Sequence, residues 1–498
     1  MKEHQIKKNE RTGNTGIRRR LSKAATLLLA SLTTLTSLTG CNQMTTYEGF
    51  AFPEGEASKL KVISDTYVEN PISYKDEGTP DKCVAEFESE NGACKIRCME
   101  QYYDITLDYE NFTPAEIGKA YAETVLKAFP DFHEAIEPYL YENIYSAFPA
   151  VEDGFDVVWE RTGYLYDTLE DEKWNDYREE IASYAEALSG GVHGFAEDGH
   201  ISYEEAVTFN FVPEALRGTS CSALSLWGSK TATGDPVTVR FLDWNLGSDY
   251  QMCRMHAIIH VKKGERSFTG ISFIGFENLV SAMNDDGVFA AILDAGSGEH
   301  YSKDGRKCYT YDLRYALEEF STAKEVGDYM VSNSASYTWS HNLIITDKDH
   351  SYCAEDAVLQ QQEKGAAHSI LRDADTPLIK SLSWDSPDSL CVVNSFVSEG
   401  NQESLWHNSN AVRWAKYKEW VAAKDSFTLG EIKTMLTAEK VNQGLAKGEA
   451  KVDNIRNQGT VQMILVDYHT GTLQVAFTPK TGPTDEVVFT EIGKYCNK

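Results

Sequence analysis

Cys221 stands in mid-chain between Ser220 and Ser222, and an Arg-x-x-Asp-Trp stretch, Arg240 to Trp244, follows it. A thiol attacks only as thiolate, and a free cysteine at neutral pH is mostly thiol, so a nucleophilic cysteine needs a base and a stabilising cation. Histidine is a frequent base. None stands near Cys221 in the sequence, although a fold can bring one from elsewhere. A second solution uses the cysteine's own nitrogen. Once the peptide bond before Cys221 is cut, the new α-amine has a pKa of about 7.7–8.0. That is a base matched to neutral pH, on the same residue as the nucleophile. It would account for a chemically important cysteine in mid-chain, after a helical segment and at the head of a strand.

The elements around Cys221 follow from local patterns. Thr113-Pro114-Ala115-Glu116 combines an N-cap, a proline at the first helical position and an acid at the third, and predicts a helix start. Leu169 to Leu188 has helical spacing and is stopped by Gly190-Gly191. Ser202-Tyr203-Glu204-Glu205 opens another capped helix towards Leu216. After Gly218 strands are expected at 236–244, 255–261, 286–293, 341–346, 389–395, 459–467 and 472–478. Helices are expected near 312–322 and 410–423, and residues 61–110 read as strands of a small accessory layer. The chain divides into a leader (1–40), a tether (41–60), a mainly helical N-terminal region (61–220) and a catalytic part (221–498). Helices followed by a strand-rich part give a layered α+β domain.

Several stretches imitate other chemistry. Asp198-Gly199-His200 to Glu205 resembles the end of a calcium loop. With Gly199 at the sixth position, the first and third positions are Gly194 and Ala196, which lack carboxylates. His256 and His260 fall on an expected strand, where residues four apart lie more than about 12 Å from each other. Cys94 and Cys98 have no matching second pair for zinc. No phosphate loop or dinucleotide fingerprint occurs, so neither a metal nor a cofactor is expected.

The leader carries Arg18, Arg19, Arg20 and Lys23 ahead of a short apolar run, Ala24 to Leu38, which ends in Leu38-Thr39-Gly40-Cys41. The run is too short and wrongly flanked for an ordinary spanning helix. It resembles the lipobox of a bacterial lipoprotein. The resemblance implies removal of residues 1–40, a lipid on Cys41, and a protein tethered to a membrane outside the cytoplasm. The leader holds eight basic and two acidic residues, so the remainder has 39 basic and 74 acidic residues, a net charge of −35. So acidic a chain disfavours nucleic acid and does not itself bind anionic lipid. Apart from Cys41 and Cys221, the other eight of the ten cysteines could form disulfides if the protein is exported, with no pairing set by spacing. Cys391, within Leu390-Cys391-Val392-Val393, reads as a small buried hydrophobe.

Cys221-Ser222-Ala223, a turn at Gly234, and Val239-Arg240-Phe241-Leu242-Asp243-Trp244 together resemble the start of the cysteine N-terminal-nucleophile (Ntn) hydrolases. Within these the sequence looks like the acyl-CoA:6-aminopenicillanic acid acyltransferase-like family, related to choloylglycine hydrolases and acid ceramidases. Phe241 stands where the family usually has Asn. Ala282-Met283-Asn284-Asp285-Asp286-Gly287-Val288 resembles the family's Gly-Met-Asn-x-x-Gly-Leu turn, with Ala282 in the glycine's place. Asn342 to Asp347 resembles a later core strand. Val392-Val393-Asn394-Ser395-Phe396 resembles a Thr-Asn-His-Phe segment, with Ser395 in the histidine's place. Arg413 opens an amphipathic helix as a family arginine does, and Gly194 to Glu197 matches an element upstream of the nucleophile. The likeness covers about residues 113–498.

The resemblance implies an Ntn-hydrolase four-layer αββα sandwich with a mainly helical N-terminal region. It implies self-cleavage between Ser220 and Cys221, with the 41–220 and 221–498 fragments staying associated. Cys221 would be both nucleophile and base. Asp243 would orient its amine, Arg240 would favour the thiolate, and Asn394 would donate to the oxyanion. Arg413 would hold the site electrostatically. Asn284 would line the oxyanion region or simply shape its turn. A regular strand puts Arg240 and Asp243 on opposite faces, so a bulge or twist must reconcile them. The activity implied is cleavage of a linear acyl amide through an acyl-cysteine, with transfer to water or to another amine. The alternative from another class is a non-catalytic surface lipoprotein that uses the fold to bind a ligand or cell-wall component.

Overall fold

The computed structural model describes residues 74–80, 82–147, 154–170, 173–216, 221–295, 306–365, 367–380, 382–401, 408–438 and 455–495. The leader, the tether, Cys41, Ser220 and Cys496 lie outside the described residues. The first sheet contains β1 (Tyr74–Glu77), β5 (Ser222–Leu226), β6 (Val237–Asp243), β14 (Ser389–Val392), β15 (Thr460–Asp467), β16 (Thr472–Phe477) and β17 (Val487–Lys494), in the order β1-β17-β16-β15-β6-β5-β14. The second contains β2 (Ala85–Glu88), β3 (Cys94–Cys98), β4 (Tyr103–Asp108), β7 (His256–Lys262), β8 (Phe268–Phe273), β9 (Ser281–Asn284), β10 (Phe289–Asp294), β11 (His341–Thr346), β12 (Ser351–Asp356) and β13 (Ile370–Arg372). Its order is β13-β12-β11-β10-β9-β8-β7-β4-β3-β2.

The helices are α1 (Pro114–Ala128), α2 (Phe132–Ala147), α3 (Gly154–Asp167), α4 (Asn175–Ser189), α5 (Tyr203–Asn210), α6 (Val212–Ala215), α7 (Tyr309–Glu319), α8 (Ala323–Asn333), α9 (Leu359–Glu363), α10 (Asn408–Ala422) and α11 (Leu429–Leu436). Capping boxes open α1 at Thr113 and α5 at Ser202, as the sequence predicts. α4 ends at Gly190 in the left-handed region (φ 61°), a conformation glycine adopts without a steric penalty. α1 and α4 approach closely because residue 118 is glycine. A Cβ there would lie 2.1 Å from the Glu180 carbonyl oxygen.

The layers follow from the two faces of each strand. Every residue of β6 is buried. Val237, Val239 and Phe241 join Trp414, Tyr417 and Trp420 of α10 and Ile432 and Met435 of α11 in one apolar cluster. Burying a side chain such as Phe241 contributes roughly 1.5–3 kcal/mol. The alternate residues face the second sheet: the Thr238 hydroxyl bonds to Thr346 on β11. On β11 itself, Asn342 reaches Val393 beside the first sheet, while His341 stacks on Tyr309 of α7. Helix α8 packs on β11, β12 and β13, and α1 packs on β2, β3 and β4. The result is helix, sheet, sheet, helix, the αββα sandwich expected.

Strands expected after Gly218 appear within a few residues of their predicted bounds. β8, β9, β12, β13 and β17 were not expected. Gly270 and Ser272 interrupt β8, and Thr490, Glu491 and Gly493 interrupt β17, so neither reads as an apolar run. Residues 85–108 do not form a separate accessory layer. β4 pairs in parallel with β7, with Tyr103 opposite Ala257, so β2 to β4 extend the second sheet. β1 likewise pairs in parallel with β17. Both sheets thus draw strands from either side of residue 221. His256 and His260 lie on β7, as expected. The eight described cysteines are free thiols, and Cys391 is buried. Among the described residues no helix is long and apolar enough to cross a membrane.

Candidate active site

Four neighbouring strands of the first sheet end at one place. Ser222 pairs with Phe241, which sets Cys221 opposite Leu242 beside Asp243. Val392 pairs with Ala223 at the end of β14, and Asn394, in the bend that follows, is tied to the Cys221 carbonyl through Arg413. Thr460 on β15 pairs with Asp243. Adjacent strands lie about 4.8 Å apart. The ends of these four strands, with the bend after β14, therefore collect Asn394, Cys221, Asp243 and Thr460, although they are far apart in sequence.

A bulge lies in the neighbouring strand β15, and none lies in β6 between Arg240 and Asp243. Thr460 pairs with Asp243 and Gln462 with Leu242, so Val461 is an extra residue in β15. A bulge bends the ladder and increases the local twist. Arg240 spans to the second sheet, where its Nη2 donates to the Ile292 carbonyl at 2.8 Å and lies 3.3 Å from Cys221 Sγ. At the other end of the twisted segment, Cys221 Sγ lies 4.0 Å from the Asp243 carbonyl oxygen. A buried cation beside sulfur favours the thiolate over the thiol. Burial pulls the Arg240 guanidinium's pKa down, and Cys221 and Asp243 pull it back up.

Arg413, from α10, ties the strand ends together. Its Nη1 donates to the Cys221 carbonyl oxygen at 2.9 Å, and its Nη2 donates to Asn394 Oδ1 at 3.0 Å and also to Asn410. Its Nη1 lies 3.9 Å from Asp243 Oδ2. Asp243 accepts from Thr460 Oγ1 at 2.6 Å and from Asn457 Nδ2 at 2.8 Å. Burial pushes its carboxyl up to about 6, against the opposing pull of Arg413 and these two donors. Asn394 Nδ2 donates to the Asp294 carbonyl at 2.7 Å. An amide nitrogen has two hydrogens, so this bond leaves a second N–H.

The structure thus brings together Cys221, Arg240, Asp243, Asn394 and Arg413. Asn284 stays apart. It lies opposite Val288 in the β9–β10 turn, four residues from Ile292, or roughly 13 Å along the strand. Its Nδ2 donates to the carbonyls of Leu317 and Phe320, and its Oδ1 accepts from Val288 N. Its role is to shape the turn and hold the end of α7, in place of the oxyanion role considered from the motif. Ser220 lies outside the described residues.

Sequence reasoning missed Asn457, Thr460 and Asn410. The signal for the first two was local: Asn457-Gln458-Gly459-Thr460 is a turn in which Asn457 Oδ1 accepts from Gly459 N, directly ahead of a predicted strand. Nothing local linked that turn to Asp243. Cys221 is fully buried. A cavity of about 450 Å³ lies along residues 372–390, and none of the five site residues lines it. Among the described residues no group of three His, Cys, Asp or Glu side chains is placed to hold a metal ion.

No family model matches the chain, and no curated protein matches it. Solved structures do. A Caenorhabditis elegans N-acylethanolamine-hydrolyzing acid amidase ortholog is 13% identical, covers 49% of this chain and 92% of its own, and has a TM-score of 0.34. A conjugated bile acid hydrolase from Clostridium perfringens is 14% identical over 56% of this chain and 97% of its own, with a TM-score of 0.34. A penicillin V acylase from Agrobacterium tumefaciens is 11% identical over 55% of this chain and 86% of its own, with a TM-score of 0.32. By its four-layer fold and the motifs around Cys221, the chain is similar to the cysteine N-terminal-nucleophile hydrolases.

Proposed function

We propose that this chain is an amide-bond hydrolase that uses Cys221 as its nucleophile after cutting itself between Ser220 and Cys221. The observation that supports this reading most is the Arg240 guanidinium 3.3 Å from Cys221 Sγ in a fully buried site. A cysteine that only fills the core needs no cation, and burying one without purpose is costly.

In the self-cleavage, Cys221 Sγ attacks the Ser220 carbonyl carbon. The C–N bond breaks, a C–S bond forms, and the thiol proton passes to the departing nitrogen. Water then hydrolyses the thioester, leaving a Ser220 carboxylate and Cys221 with a free thiol and α-amine. In turnover, that amine takes the thiol proton and the thiolate attacks the substrate amide. The second N–H of Asn394 serves the oxyanion, a contact worth roughly 3–4 kcal/mol where measured in other enzymes. The ammonium protonates the leaving amine, and water releases the acyl group from sulfur.

The lipobox-like Cys41 supports an exported, lipid-anchored protein. Outside the cell acyl-CoA is an improbable donor, which favours hydrolysis over acyl transfer. The candidate substrates are N-acyl amino acids, bile-salt-like conjugates and β-lactam side-chain amides. Intact-mass analysis and N-terminal sequencing test the reading, followed by release assays on those amides. Scission before Cys221, its labelling by iodoacetamide, and loss of both scission and turnover in Cys221→Ala are expected. An active chain that remains whole, or a Cys221→Ala chain with normal turnover, refutes it. An unsplit, unlabelled and inactive chain favours a ligand-binding lipoprotein.

A further inference from the structure

Helix α7 opens without a cap of its own: Cys308, at its N-cap, makes no side-chain capping hydrogen bond. The first-turn donors are met instead by Glu214, from the segment upstream of Cys221. The Glu214 carboxylate accepts from Tyr309 N at 3.3 Å, from Thr310 N at 3.0 Å and from the Thr310 hydroxyl. It also accepts from Thr338 Oγ1 at 3.3 Å and from the Cys308 thiol. The Glu214 carbonyl accepts from Trp339 Nε1, and the Ala215 carbonyl accepts from Arg161 Nη1 at 3.0 Å. Glu214 is fully buried. Helix α6 has four residues, too few to be stable alone, so these contacts fix it.

The anchor lies at the site's end of the second sheet. Trp339 is two residues before His341, which pairs with Asp294, and the Asp294 carbonyl accepts from Asn394. From Leu216, next to the anchor, to Cys221 is five residues, which reach at most roughly 17 Å.

We propose that Glu214 is a positioning residue for self-cleavage. Docked on the N-terminus of α7, it fixes the described chain up to Leu216, five residues before Cys221. The covalent step is the one given above: sulfur displaces the Cys221 nitrogen from the Ser220 carbonyl, the thiol proton moves to that nitrogen, and water takes the acyl group. The inference rests on the self-cleavage reading.

The test follows scission of the full chain over time by intact mass, with kcat and KM normalised to the split fraction and Tm recorded alongside. Glu214→Gln is expected to slow scission at least tenfold, with kcat and KM per split molecule within about twofold of wild type. Glu214→Asp, which restores the charge, is expected to recover part of the rate. Should Glu214→Gln fail to fold, Thr310→Val is read in its place, because it removes one donor and leaves the carboxylate. Wild-type scission rates in the variant overturn the inference, as does an equal loss of scission and of turnover per split molecule. A wild-type chain that never splits overturns the self-cleavage reading and this inference with it.

Discussion

Arg240 reaches from the first sheet to the second and places its Nη2 3.3 Å from Cys221 Sγ while the same nitrogen holds the Ile292 carbonyl at 2.8 Å. One guanidinium thereby joins the two sheets at the Cys221 sulfur. A lysine presents a point charge on a flexible stem and cannot reproduce this planar geometry. Arg240→Lys is expected to lower kcat/KM by roughly 10- to 100-fold, the worth of a charged hydrogen bond of about 1.5–3 kcal/mol. The rate of Cys221 alkylation against pH should shift to higher pH in the same variant, and an unchanged alkylation profile would count against a role for Arg240 in forming the thiolate.

On the proposed mechanism, Asp243 sets an acid limit on activity. Its carboxyl is pushed up to about 6, mainly by burial, so it is ionised at neutral pH and protonated as the pH falls through that value. If orientation of the amine needs the carboxylate, kcat/KM falls below about pH 6. Thr460→Val removes the 2.6 Å hydroxyl donor that favours the ionised form. The acid limb should then move up by about one to two pH units, as read from kcat/KM between pH 4.5 and 8.5.

Arg413 is 1% exposed and bonds three strand ends. Arg413→Met keeps much of the bulk and strands the Asp243 carboxylate without its cation. Breaking a buried pair in this way costs about 3–5 kcal/mol. Urea unfolding is expected to show that loss with little change in the slope, and a stability within 1 kcal/mol of wild type, roughly the spread of an ordinary surface substitution, would contradict the bridging role.

Glu277 is buried among Leu107, Tyr121, Ile259 and Phe276, near Glu180 and Arg314, and neither carboxylate oxygen has a hydrogen-bond partner among the described residues. Burial and the Glu180 charge push its pKa well up, with Arg314 opposing. Its folded pKa lies above its unfolded value, so the folded state retains a proton that the unfolded state loses. The stability this acid contributes is complete below about pH 4.5 and declines as pH rises, by at most about 1.4 kcal/mol per unit. Glu277→Gln keeps the shape and removes the titration. Thermal melts should show the variant close to wild type at pH 4.5 and more stable than wild type at pH 8.

Local residue order determined much of this protein. Thr113 and Ser202 announced their helices, because a cap is a matter of neighbours three residues apart. The alternation from Val237 to Asp243 announced a strand, and the resemblance carried by Cys221, Arg240, Asp243, Asn394 and Arg413 picked out residues that the fold gathers in one place. Only the tertiary structure decided which strand ends meet. The Arg240 guanidinium and the Asp243 main-chain carbonyl both reach the Cys221 sulfur, and the pairing of β15 with β6 sets Thr460, with Asn457 in the turn before it, on a carboxylate more than 200 residues earlier. Register likewise left Asn284 at the far end of its strand despite a matching motif. The parallel pairing of β4 with β7 turned expected accessory strands into part of the second sheet. Caps and alternation depend on contacts within a few residues. Strand partnership depends on burying both faces of a sheet at once, and that is a property of the whole chain.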